Sequence, residues 1–198
     1  MNEKKLEEII LHYKKHRDES PELWILHCAQ QNSLEEAIYE AAIARNAEGK
    51  KNKHQWRLKN IDLEKFAVQL VDKVDELKKC ATFDAILEVV EKHKTNGIGT
   101  LTIYDTAERI GAYLKLFPNK IYLHAGTKAG AEKLLGKKLQ QKFIRKEELP
   151  EVFQQNNLHC GAIEDILCMY KNSFEDEEET GLPRFFPNAG KRKKKHSC

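Results

Sequence analysis

Proline and glycine are both scarce, at five and ten in 198 residues, and aromatic residues make up only 8%. So few turn formers exclude a many-turned β-architecture and favour helices. No pair of the five cysteines has C-x-x-C spacing, and the odd total argues against a disulfide framework. No apolar run approaches the roughly 20 residues of a membrane span. The chain opens MNEKKLEE, charged from Glu3 onward, so no secretory signal is expected and a cytoplasmic protein with reduced thiols is. Neither sign of charge dominates. The 34 basic and 31 acidic side chains leave +3, so any basic face must come from local distribution.

What is present is helical periodicity. Leu6, Ile9, Ile10 and Tyr13 give a stripe over residues 3–17, and Ser20-Pro21 suits a new start before Leu23, Trp24, Leu26 and His27. Ser33 and Glu36 form a capping box ahead of Leu34, Ala37, Ile38, Ala41 and Ala42. One long amphipathic helix is expected over residues 62–79 and another over 82–93. Later helices are expected from Thr127 to Leu135, closed by Gly136, then over 151–155 and 160–170. From Ser173 the pattern gives way to an acidic run, Glu175 to Glu179, and a basic end, Lys191 to Lys195. The expected fold is all-α, one multi-helix globular domain over residues 1–172, followed by a flexible charged tail over 173–198.

Residues 49–59 read GKKNKHQWRLK, with five basic residues and no acid. Lys51, Lys53 and Arg57 are candidates for phosphate contacts, and an aromatic among them can stack a base. The plainer expectation is a solvated loop whose Trp56 packs inward.

The most specific stretch is Asn96 to Leu114, NGIGTLTIYDTAERIGAYL. Apolar helical patterns enter and leave Gly97-Ile98-Gly99, the outline of a helix–hairpin–helix over residues 82–116. Thr102 and Asp105 are placed to cap the second helix. Ile103, Ala107, Ile110 and Leu114 form its expected buried stripe, with Asp105, Glu108, Arg109 and Ala112 pointing elsewhere. Glycines allow a tight turn and let a phosphate oxygen approach the backbone amides, while the helix start supplies positive potential. Gly97, Ile98, Gly99, Thr100 and Thr102 are therefore the candidate backbone-gripping residues, with Lys128 beyond them. The alternative is a plain connector between two helices.

This pattern resembles the helix–hairpin–helix of DNA glycosylases of the endonuclease III type. The likeness covers residues 82–136, including the break at Leu116-Phe117-Pro118 and the extended Ile121 to His124. It implies an all-α body that grips DNA, or RNA, by its backbone, with repair as the setting. Base-cleaving members carry an aspartate after the extended segment, and some a lysine just after the hairpin. Here His124 and Thr100-Leu101 stand at those places, so the resemblance implies backbone binding rather than the standard chemistry. Asp105, His124 and Tyr104 are the candidate catalytic groups for a base-processing enzyme with non-standard residues. A helical protein-interaction module is the remaining alternative.

No cofactor is implied, and no metal site. His12 and His16 share a helix face with nothing to complete a ligand set, and Cys160 and Cys168 beside His159 read as buried thiols.

Overall fold

The computed structural model describes residues 2–16 and 23–174. The Ser20-Pro21 start and the charge runs from Glu175 onward lie outside the described residues. The elements in chain order are α1 (Glu3–His16), α2 (Leu23–Ala29), α3 (Leu34–Ile43), α4 (Asn60–Val71), α5 (Val74–Lys78), α6 (Phe83–Lys92), α7 (Thr100–Leu114), β1 (Ile121–Tyr122), α8 (Ala125–Leu135), β2 (Phe143–Ile144), α9 (Glu151–Gln155) and α10 (Cys160–Met169). The fold is all-α, with one small antiparallel pairing of β1 and β2 in which Ile121 faces Ile144. Among the described residues no helix is long and apolar enough to cross a membrane.

Where the periodicity suggested one helical domain over residues 1–172, the chain groups into two compact units. One combines the described residues 2–16 with 121–174, and the other holds 23–120. The first is built on α8 and α10, which pack at backbone distance: a Cβ on Gly130 would overlap the Leu167 carbonyl oxygen. Leu6, Ile9, Ile10 and Tyr13 of α1 join this core, as their spacing predicts. Ser173 and Phe174 are buried too, so the packed body runs on past residue 172.

The second unit packs α3 against α2, α4 and α7, and α6 against α7. Its local signals read true. Ser33 accepts from the Glu36 amide at 3.2 Å, and Glu36 answers by accepting from the Asn32 amide at 3.1 Å. Thr82 caps α6 through the Ala85 amide, also at 3.2 Å. The long helix expected over residues 62–79 is broken in two. The Lys73 amide bonds Leu70 at 2.9 Å in a tightened last turn, and helix resumes as α5 at Val74. The break lets Leu77 bury completely while α5 packs on both α3 and α6.

Candidate nucleic-acid interface

The hairpin is built as follows. After α6 the chain turns through Thr95 to Ile98, closed by the Ile98 amide on the Thr95 carbonyl at 3.2 Å. Gly97 takes φ +88°, a conformation that L side chains rarely adopt. Ile98 is 6% exposed and plugs the turn into the core, so its amide and side chain are both committed. Gly99 caps α7 in an extended conformation, and glycine offers no side-chain oxygen to the first helical amides. Among the described residues no hydrogen bond occupies the amides of Gly99, Thr100 or Leu101. All three residues are exposed, and a Cβ on Gly99 would meet nothing within 4 Å.

Two neighbours shape the electrostatics. Asp62, in the first turn of α4, would lie 3.9 Å from a Cβ on Gly97, so that flank of the turn is acidic. Lys94, exposed just before the turn, supplies positive charge. The open, anion-compatible part of the hairpin is therefore the Gly99–Leu101 side. Neither Asp62 nor Lys94 was singled out from sequence for this role. In the sequence Asp62 only opens the helix expected over residues 62–79, and Lys94 lies just past the one expected over 82–93. An acidic depression lined by Glu35, Glu36 and Glu40 of α3, with Asn32 and Val71 at its edge, shares no residue with the hairpin.

The expected cap at Thr102 is corrected. Helix α7 starts at Thr100 because Ile98 is already anchored, and Thr102 is buried in the first turn. Asp105 then turns inward instead of back towards Thr102. Its Oδ2 accepts from Gln55 Nε2 at 2.7 Å and from the His54 Nδ1–H at 3.0 Å, with Arg109 Nη2 at 3.8 Å. Arg109 in turn donates to the Ala41 carbonyl at 3.1 Å and to Gln55 Oε1 at 3.2 Å. The expectation that Asp105, Arg109 and Ala112 face away from the core is also corrected: all three are buried. Burial alone would raise the Asp105 pKa. The bonds from His54 and Gln55 and the charge of Arg109 outweigh it, so the carboxyl titrates below its ordinary value.

This network ties the basic loop to α7. Gln55 is wholly buried, whereas its neighbour Trp56 is 65% exposed with the Arg57 guanidinium 5.6 Å from its ring centre. The inward packing expected of Trp56 is thus overturned, because Gln55 takes the inward position. Lys51 is held within the loop, donating to the Leu58 carbonyl at 2.8 Å. Lys53 and Arg57 are exposed.

Of the three candidate catalytic residues, Tyr104 and Asp105 belong to one compact unit and His124 to the other. Tyr104 is buried edge-on to Phe83 at 5.6 Å between ring centres. His124 caps α8 in the other unit, where its carbonyl accepts from the Lys128 amide at 2.7 Å. The hydrogen-bonding partners of Asp105 are His54 and Gln55 of its own unit. Lys128 is half-buried on α8. Of the two thiols expected to be buried on α10, Cys160 is, while Cys168 is exposed. His12 and His16 lie 4.4 Å apart between ring centres, tilted by 47°, and His12 Nδ1 shares a 2.8 Å bond with the Tyr170 hydroxyl. Among the described residues no cluster of three His, Cys, Asp or Glu side chains is arranged to hold a metal ion.

Compared with protein-family models, curated proteins and solved structures, the chain matches none of them.

Proposed function

We propose that this chain binds DNA by its phosphate backbone, through the amides at the start of α7. One observation carries the reading: exposed residues Gly99, Thr100 and Leu101 whose amides no hydrogen bond occupies among the described residues, at a glycine with open space where its Cβ would be. A phosphate oxygen there would meet the orphan donors and positive end of α7. Lys94, exposed five residues before Gly99, adds a cation to the turn. Such contacts position a protein on a duplex without reading its sequence. The resemblance in the hairpin points to genome maintenance or repair as the setting.

The test is a titration of a fluorescently labelled duplex with the full chain at several salt concentrations. Neutralising a few phosphates predicts a log–log salt slope of about −2 to −3. A wild-type protein that shows no binding at low salt, or binding indifferent to salt, contradicts the proposal.

A further inference from the structure

The loop that presents Trp56 is buttressed from within at nearly every neighbouring residue. Buried Asn52 accepts from the His54 amide at 2.9 Å through its side chain and from the Gln55 amide at 3.1 Å through its carbonyl. The Leu58 amide closes on Gln55 at 2.9 Å, and Trp24 Nε1 donates to the Lys50 carbonyl at 3.0 Å. His54 and Gln55 are pinned to Asp105. The indole is therefore held outward by a fixed backbone, and little order would be lost on contact with a partner. Arg57 lies over one face of the ring. The stretch that carries it, residues 49–59, holds five cations and no acid. Lys50 is paired with Glu48 at 2.5 Å, but among the described residues no ion pair engages Lys53, Arg57 or Lys59. An outward indole on a braced loop, with Arg57 over its ring and exposed Lys53 in the same loop, matches an aromatic group carried on an anionic chain. A nucleobase on a phosphodiester strand has that chemistry, because every base offers a π-face and each linkage a negative charge.

We infer that Trp56 is a stacking post for an unpaired base, with Lys53 and Arg57 holding the adjoining phosphates. The inference rests on the nucleic-acid reading above and deepens it: the preferred ligand is DNA with locally unpaired bases rather than intact duplex alone.

The experiment compares the full-length wild type, Trp56→Ala and Trp56→Phe on a labelled oligothymidine of about twenty nucleotides and on a duplex of equal length. Expected are quenching of wild-type tryptophan emission by the single strand and its loss in Trp56→Phe. Trp56→Ala should weaken strand binding about ten-fold, with partial retention in Trp56→Phe and duplex affinity within about two-fold of wild type. Duplex binding without strand binding, or an unchanged strand affinity in Trp56→Ala, overturns the stacking post and leaves the hairpin reading standing. An equal loss on strand and duplex overturns it as well, by making Trp56 part of the general grip. Binding of neither ligand by the wild type overturns both readings.

Discussion

Gln55 Nε2 donates to Asp105 Oδ2 at 2.7 Å, joining two buried side chains fifty positions apart. That bond decides which way the basic loop faces, since turning Gln55 inward turns Trp56 outward. It also places the loop on the second turn of the helix whose first turn bears the orphan amides.

Asp105→Asn should therefore cost stability beyond one hydrogen bond. Arg109 is 2% exposed and would keep its buried charge with the carboxylate gone. Removing one partner of such a pair costs about 3 kcal/mol or more. Urea denaturation of wild type and variant at neutral pH measures this, and a cost below about 1 kcal/mol would show that the network is not holding the loop.

The same pair predicts a pH dependence. A carboxyl whose folded pKa lies below its ordinary 3.8 contributes fully at pH values above 3.8 and loses that contribution as pH falls through the folded value. The stability gap between wild type and Asp105→Asn should narrow as pH falls below 3.8. A gap that widens below 3.8 would mean that the sign is wrong.

Glycine substitutions separate packing from exposure. A Cβ on Gly111 would overlap the Leu116 carbonyl oxygen, a backbone atom that cannot swing aside. Gly111→Ala should cost about 1–3 kcal/mol. Gly99→Ala should leave thermal stability nearly unchanged, because its Cβ meets nothing and its φ of −89° suits any residue. Melting curves of the two variants give the comparison.

The thiols should differ in reactivity. Cys28 is wholly buried, and its pKa is pushed up to about 12 by burial, despite the opposing charge of Arg109. Cys168 is exposed. Iodoacetamide followed by peptide mass mapping should modify Cys168 in the native protein and Cys28 only after denaturation.

What could be read from sequence was local. The stripe of α1, the cap at Ser33 and the turn at Gly97 depend on residues within a few positions of one another. What escaped depends on distant partners. Asp105 and Arg109 look like surface charges until Gln55 and the Ala41 carbonyl arrive from the loop and α3. Trp56 looks like a core residue until Gln55 occupies the inward place. The break after Val71 has no proline or glycine to announce it, and follows from α5 packing on two other helices. The hairpin lay between these cases. Its shape was legible, but the acidic flank at Asp62 comes from the start of a different helix.

The most direct test is a two-dimensional amide NMR titration of the full chain with a short DNA duplex at low salt. The account predicts that the Gly99, Thr100 and Leu101 amides shift first and furthest, and that Gly99→Val abolishes those shifts while the rest of the spectrum keeps its native dispersion. Duplex binding that leaves these three amides unmoved, or that survives Gly99→Val at full strength, would contradict it.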